Sequence, residues 1–187
     1  KETEPDTLLQ SVSAVFQDSI LLSDTIYNNI KIGKPDASES EVIAAAQAAQ
    51  CHEFISELPD GYNTLLAEGG AALSGGERQR IALARAILKD APIIVLDEAT
   101  AFIDPENEDK LNLAIAEIIK NKTVIVIAHR LSSIQNAGQI CVISSGNIIA
   151  SGTHKELLND CIEYQKLWLR SDAAKDWGIN IKGGEYA

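Results

Sequence analysis

The sequence contains no methionine, and this absence is the first feature that bears on its origin. A chain without methionine cannot begin at a natural initiator, so we expect these 187 residues to be a processed or truncated piece of a longer protein. Residues 1–5 are charged and polar, unlike the start of a secretory signal peptide. No apolar run reaches the roughly 20 residues that a membrane-spanning helix needs.

Cysteine is scarce as well. Cys51, Cys141 and Cys161 are the only three, and no two of them form a C-x-x-C pair. An odd number of widely spaced cysteines argues against a disulfide framework or a zinc site, and it favours a reducing, intracellular setting. Cys141 lies in an apolar run, where we expect it to be a small core residue.

Positive charge is limited. The chain has 16 Lys and Arg residues against 27 Asp and Glu residues, which gives a formal net charge of −11. Binding of nucleic acid needs clustered Lys and Arg, so we expect no nucleic-acid partner. The acidity itself indicates solubility. The proportions of hydrophobic (45%) and charged (23%) residues are those of an ordinary globular protein.

Short apolar runs alternate with helical patterns, and this alternation predicts the fold. Four runs are predicted to be strands, at residues 11–16, 92–96, 124–127 and 140–143. The last three are continuous enough to be buried. Helices are predicted to begin after Ser38, Ser74 and Thr153, because each is followed three residues later by Glu, the pattern of a capping box. Strands that alternate with helices indicate an α/β fold with a mostly parallel sheet.

The predicted strands are unevenly distributed along the chain. The stretch from about residue 18 to residue 89 is mostly helical and contains no comparable buried strand. We therefore expect a helical lobe over about residues 18–89, inserted into a core formed by residues 1–17 and 90–170. Residues 171–187 are polar and contain glycine, so we expect a loosely attached tail.

The first candidate site is the segment Ser74-Gly75-Gly76-Glu77, at the start of a predicted helix. The two glycines leave backbone amides uncovered there. Those amides, the helix dipole and the Ser74 hydroxyl together favour binding of an anion. The alternative is that Ser74 and Glu77 only form a capping box, as at many helix starts.

Two adjacent carboxylates form the second candidate site. Asp97 and Glu98 follow a predicted buried strand, at the end of the sheet where ligands of open α/β folds bind. One carboxylate can hold Mg²⁺, and the next can poise a water molecule for attack on phosphorus. The alternative is a strand that simply ends in solvated acids.

His129 ends another predicted strand, whereas His52 and His154 fall in no motif and are expected at the surface.

The string LSGGERQRIALARAIL, residues 73–88, resembles the signature of ABC ATPases, the ATP-binding domains of ABC transporters. The resemblance continues over about residues 8–169. It implies a core of the P-loop NTPase (RecA-like) type with an inserted helical lobe, the N-terminal part of the domain lying upstream of these residues. It also implies ATP and Mg²⁺ as cofactors.

The resemblance implies roles for individual residues. Asp97 matches the Mg²⁺ residue of the Walker B segment, and Glu98 matches its general base. His129 matches the switch histidine that contacts the γ-phosphate. Gln17 matches the Q-loop glutamine, which reaches both the Mg²⁺ and the attacking water. The implied ATP-binding residues are Ser74, Gly75, Gly76, Glu77 and the D-loop residue Asp104, which is alternatively the N-cap of the next helix.

Two further segments resemble those of exporters. Residues 67–70 resemble the exporter X-loop, with Glu68 as its acidic residue, and residues 22–30 resemble the segment that faces the membrane domain. The implied function is ATP hydrolysis that drives export, at the cytoplasmic face of a membrane. The implied partners are a transmembrane domain and a second ATP-binding domain, paired head to tail. A soluble ABC ATPase of translation or DNA repair and a non-enzymatic interaction module are the alternatives.

No G-x-x-x-x-G-K-[ST] loop occurs in these residues, since the one Gly-Lys pair, Gly33-Lys34, is followed by Pro35. In the family, that phosphate-binding loop lies upstream of the segment that the resemblance covers. We therefore expect the chain by itself neither to bind ATP tightly nor to hydrolyse it, and we expect the activity to belong to the longer protein.

Overall fold

The structure, a computed structural model, describes residues 4–16, 19–70, 72–97, 105–128 and 131–171. It divides the chain into two compact units, Lys1–Ile127 and Ala128–Ala187. Among the described residues, no helix combines the length and the apolar character needed to cross a membrane.

The first unit combines a sheet with helices that precede and separate its strands. In chain order its elements are α1 (Pro5–Gln10), β1 (Val12–Val15), α2 (Ile26–Lys31), α3 (Glu39–Ala48), α4 (His52–Glu57), α5 (Gly75–Lys89), β2 (Ile93–Asp97), α6 (Pro105–Ile118) and β3 (Thr123–Ile127). Short 3₁₀ turns occur at Gly61–Asn63 and Glu68–Gly70.

The three strands of the first unit are parallel and lie in the order β1-β2-β3. Val12 of β1 pairs with Ile93 of β2, which pairs in turn with Thr123 of β3. Parallel neighbours need a crossover connection, usually helical, and α6 lies between β2 and β3 in the chain. This arrangement confirms the predicted α/β fold with a parallel sheet.

Burial in this sheet is less uniform than the apolar runs predict. In β2, Ile94 is fully buried and Leu96 is 6% exposed. In β3, the side chains of residues 125–127 are 48–50% exposed, so the prediction of a buried strand there is wrong. Within the described residues β3 is the last strand of the sheet and pairs with β2 alone, which leaves it less covered than a central strand.

The chain between β1 and β2 is helical, as predicted. Helices α2 to α5 lie there, and the described residues from 19 to 89 contain no strand of the sheet. The division of the chain into a helical lobe at residues 18–89 and a core at residues 1–17 and 90–170 remains a prediction.

Helix α5 is the central helix of the first unit. It contacts α2, α3, α6 and β1, and its residues Ile81 and Leu83 are completely buried. At its C-terminal end, the Lys89 amino group donates hydrogen bonds to the carbonyls of Leu9 (2.7 Å) and Val12 (2.6 Å). The position of α5 therefore depends on contacts along its whole length.

Gly33, which follows α2, approaches α5 too closely for any side chain. A Cβ atom added at Gly33 would lie 2.2 Å from the carbonyl oxygen of Arg85, a backbone atom that cannot rotate away. We expect Gly33→Ala to lower the free energy of unfolding by about 1–3 kcal/mol, the usual cost of overpacking. Gly138→Ala is the control, because no atom of the described residues lies within 4 Å of a Cβ there. Urea denaturation followed by circular dichroism should show the difference, and equal effects of the two variants would contradict the close approach.

The second unit consists of a 3₁₀ turn, a hairpin and two helices among its described residues. These are Leu131–Ile134, β4 (Ile140–Ser144), β5 (Asn147–Gly152), α7 (His154–Asp160) and α8 (Ile162–Arg170). The strands pair antiparallel. Between them Ser145 and Gly146 both have positive φ, 49° and 77°, as a type I′ hairpin turn requires.

The hairpin corrects two expectations about residues 140–143. Ile140 and Val142 are buried, but Ile143 is 68% exposed, so the strand is not buried on both faces. Cys141 is exposed and is therefore not a core residue. An antiparallel hairpin that packs by one face alternates buried and exposed side chains, and β4 follows this pattern.

His154 corrects a third expectation, because it is not a surface residue. It is 6% exposed, and its Nδ1 lies 2.8 Å from the Tyr164 hydroxyl. Its ring packs edge-on against Trp168, with ring centroids 4.4 Å apart. Burial lowers the pKa of His154. Tyr164 and Trp168 are four residues apart on α8, so they share one helix face, and that spacing is the signal that indicates a buried aromatic cluster.

Candidate functional site

Residues Ser74–Glu77 form the start of α5, and their geometry is that of a capping box. The Ser74 Oγ accepts a hydrogen bond from the Glu77 backbone N–H (3.3 Å), and the Glu77 carboxylate accepts one from the Ser74 backbone N–H (2.7 Å). The predicted capping box is therefore confirmed. This bond uses the Ser74 oxygen as an acceptor, so its O–H can donate to another group.

Two other helices begin with the same box, and they separate capping from a binding role. α3 is capped by Ser38 and α7 by Thr153, each with a glutamate three residues later. The two residues after each of those caps carry side chains, whereas α5 has Gly75 and Gly76 there. Because capping needs no glycine, the glycine pair points to a further role for this turn.

The backbone at Gly75 is open where a side chain would stand. Among the described residues, and apart from its chain neighbours and the backbone of its own helix, the nearest atom to a Cβ added there is Arg78 Nη2, at 4.0 Å. Both Ser74 and Gly75 are exposed. The first N–H groups of a helix have no acceptor within the helix, and an anion is stabilised at this positive end of the helix dipole. The turn can therefore receive a phosphate oxygen against its main chain.

Arg78 lies beside this turn, although its position in the sequence gave no separate indication of a role. Its Nη1 donates to the carbonyl of Leu73, and its Cδ lies 3.2 Å from the position of a Cβ added at Gly70. Gly70 itself has positive φ (69°). The guanidinium therefore joins the preceding loop to α5 and brings positive charge to the start of the helix. Its spacing, four residues after the cap, is the signal that places it on the same face.

Asp97 is the last residue of β2 and is partly exposed. It pairs with Ile127, the last residue of β3, so it lies at the C-terminal edge of the sheet, where ligands of open α/β folds bind. The described part of the chain has no group of three or more His, Cys, Asp or Glu residues that could hold a metal. One or two carboxylates with substrate phosphates suffice for Mg²⁺, so Asp97 fits an ion carried with a nucleotide.

Four predicted site residues lie outside the described residues: Gln17, Glu98, Asp104 and His129. Three of them come one or two positions after the last residues of β1, β2 and β3 in the sequence. Those strands are adjacent and parallel, and their C-terminal ends form the edge that carries Asp97. The roles of the four residues remain proposals.

The family model described as "ABC transporter" matches residues 1–101, more than half of the 187-residue chain. The chain belongs to the ABC transporter family. Membership of this family implies that the chain takes part in binding ATP. Residues Ser74–Glu77 are accordingly called the signature turn below.

Proteins that are identical to this chain at about half of the aligned positions carry names that refer to different cargoes. An ATP-dependent lipid A-core flippase from Desulfotalea psychrophila is 48% identical over 168 residues, which are 90% of this chain and 29% of the flippase. A heavy metal tolerance protein from Schizosaccharomyces pombe is 49% identical over 170 residues, 90% of this chain and 20% of that protein. One name refers to a lipid and the other to heavy metals, so similarity at this level does not select a cargo.

Among solved structures, a bacterial Atm1-family ABC exporter with ATP bound is similar to this chain, with a TM-score of 0.78 and 41% identity. The match covers 88% of this chain and 29% of the exporter chain. The chain therefore spans less than a third of the length of these ABC proteins.

Proposed function

We propose that the chain is the C-terminal part of the ATP-binding domain of an ABC exporter, and that the full-length protein hydrolyses ATP to drive export. The observation that carries this proposal is the signature turn. It combines a capped helix start, an uncovered glycine, Gly75, that is followed by a second glycine, and an adjacent arginine. Main-chain N–H groups at such a helix start bind phosphate oxygens, and within the described residues this arrangement is absent from the capping boxes of α3 and α7.

Each predicted site residue has a chemical role in this function. Glu98 accepts a proton from the attacking water, and Gln17 orients that water. His129 donates a hydrogen bond to the γ-phosphate, and Asp104 belongs to the D-loop of the interface between domains. Asp97 would hold Mg²⁺, which would supply neutralisation of phosphate charge.

The second part of the proposal is that two ATP-binding domains pair head to tail. The ATP held by one domain then meets the signature turn of the other. The exposure of Ser74 and Gly75 supports this arrangement, because a nucleotide held elsewhere can reach their backbone. Burial between two domains would also strengthen the electrostatic contribution of the helix start.

The third part concerns the membrane domain. Residues 20–29 overlap the segment 22–30 that resembles the one facing the membrane domain in exporters, and they are called the docking segment. Two of its apolar side chains are exposed to solvent: Ile20 is 71% exposed and Leu22 is 55% exposed. Leu65, which forms an isolated bridge with Thr25 of the segment, is 76% exposed. This apolar surface suits the apolar side of a short helix from a transmembrane domain at the cytoplasmic face. The names of the flippase and the Atm1-family exporter support export over a soluble ABC ATPase.

Phosphate release from Mg-ATP by the purified full-length protein in lipid vesicles tests this proposal. We expect saturable hydrolysis that stops when Mg²⁺ is omitted. A folded full-length protein that binds ATP and releases no phosphate would favour the interaction module. Full activity in a protein that remains in the soluble fraction of the cell would favour the soluble ATPase.

A further inference from the structure

A single arginine side chain joins α5 to the docking segment at two points. Arg85 lies about three turns beyond Ser74 on α5. Its Nε donates to the carbonyl of Asn29 (3.0 Å), and its Nη2 donates to the Asn29 Oδ1 (3.2 Å). Its Nη1 donates to the carbonyl of Ile20 (3.3 Å). The planar guanidinium, with donors in a fixed fork, therefore fixes the two ends of the docking segment to one helix.

Asn29 fixes the middle of the docking segment in the same way. It is completely buried. Its Oδ1 accepts from the Leu22 backbone N–H (2.9 Å), and its Nδ2 donates to the carbonyls of Leu22 (3.1 Å) and Thr25 (3.0 Å). The backbone of the segment is thus held by hydrogen bonds to the buried Asn29 side chain, while the Ile20 and Leu22 side chains stay exposed. Arg85 and Asn29 therefore hold the same part of the docking segment that a transmembrane domain would contact.

Beneath these hydrogen bonds, the docking segment and α2 pack closely against α5. Ile26 and Ile30 are fully buried on the inner face of α2. The chain after α2 presses its Gly33 backbone against the carbonyl of Arg85, as described above. Protein interiors transmit displacement because they are close-packed. The docking segment and α2 therefore pack directly on α5, and the signature turn is the N-terminal end of that helix.

We propose that Arg85 is a positioning residue, which fixes the docking segment to α5 so that displacement of the segment by a membrane domain moves the signature turn. This inference rests on the proposed function. Arg85 itself is not proposed to contact the nucleotide. Arg85 is linked to the docking segment through Asn29 and Ile20, and it is linked to the signature turn through helix α5.

Three variants distinguish a positioning role of Arg85 from a general contribution to the stability of the fold. Arg85→Met removes all three hydrogen bonds. Arg85→Lys keeps the charge and can donate to Asn29, but it lacks the fork that also reaches Ile20. Lys89→Met is the matched control, because Lys89 lies one turn further along α5 and also donates to two main-chain carbonyls, but on the β1 side.

Amide hydrogen exchange of the 187-residue chain measures the coupling directly. In the unaltered chain we expect the amides of residues 22–29 that are hydrogen-bonded to exchange together with those of α5. In Arg85→Met they should exchange at least about tenfold faster than in the unaltered chain, while the amides of α5 change by less than about twofold. Lys89→Met should instead speed exchange around β1. Unchanged exchange at residues 22–29 in Arg85→Met would overturn the inference, regardless of how the substitution affects ATP hydrolysis.

Steady-state kinetics of the full-length protein test the consequence. We expect Arg85→Met to lower kcat for ATP hydrolysis at least about fivefold, with KM for ATP within about twofold, since misplacement of a catalytic surface affects turnover. Arg85→Lys should restore part of kcat, and Lys89→Met should lower kcat less than Arg85→Met does. A loss of Tm with parallel changes in kcat and KM, or an unchanged kcat, would overturn the positioning role. Absence of hydrolysis in the unaltered, folded protein would instead overturn the proposed function, and with it the effect of Arg85 on turnover.

Discussion

Glu98→Gln in the full-length protein is expected to lower kcat for ATP hydrolysis by about 10²–10⁴-fold, the usual contribution of a general base. Glutamine keeps the size of glutamate but cannot accept a proton from the attacking water. The contacts that hold the nucleotide do not need that proton transfer, so ATP binding should be retained and the ATP-bound state should accumulate. Phosphate release measured together with equilibrium binding of ATP distinguishes the two effects.

The control for this change is Glu156→Gln, the same chemical substitution in the capping box of α7. Glutamine fills that capping position as well as glutamate does, so hydrolysis and ATP binding should both stay as they are. Undiminished turnover in Glu98→Gln would show that Glu98 is not the base. Loss of ATP binding together with turnover would indicate damage to the fold rather than to the chemistry.

The second large effect is expected at the signature turn. Arginine at Ser74 places a long side chain in the space that the γ-phosphate of a paired domain would enter. We expect Ser74→Arg to weaken ATP-dependent association at least about tenfold, beyond the loss of roughly 1 kcal/mol of helix capping. The measurement is analytical ultracentrifugation of this chain mixed with an intact ATP-binding domain of the same transporter, with and without ATP.

Ser38→Arg is the matched control for that experiment. Ser38 caps α3 through the same box, with glutamate three residues later, but no glycine pair follows it. The control therefore loses the same capping interaction and leaves the proposed phosphate site intact. Association that is equally strong in Ser74→Arg and in the unaltered chain would rule out the signature turn as the docking surface. Equal weakening by both variants would assign the effect to capping alone.

Local features of the fold could be predicted from the sequence, because they depend on neighbouring residues. The capping boxes at Ser38, Ser74 and Thr153 were predicted from a four-residue pattern and are present. Burial was less predictable. Cys141 lies in an apolar run but points away from the core of its hairpin, and His154 is polar but lies against two aromatic rings. Burial depends on which strand face and which helix pack together, and apolar periodicity alone does not determine this.

The same limit applies to the site. The signature turn could be predicted because its residues are consecutive and their backbone chemistry is local. Arg85 could not be predicted, because two of its three acceptors are main-chain carbonyls 56 and 65 residues away, and the third is the Asn29 side chain, also 56 residues away. A carbonyl is present at every residue, so a contact of this kind leaves no pattern in the sequence. The link between the docking segment and α5 emerged only from the structure.

The central claim is that the signature turn contacts bound ATP through its main chain. Hydrogen exchange of the full-length Glu98→Gln protein, with and without Mg-ATP, tests this claim most directly. We predict that Gly75 and Gly76, at the start of α5, exchange at least about tenfold more slowly with ATP bound, while the corresponding first turn of α3 after Ser38 does not change. Equal exchange at Gly75 and Gly76 in the two states, with ATP shown to be bound, would contradict the account.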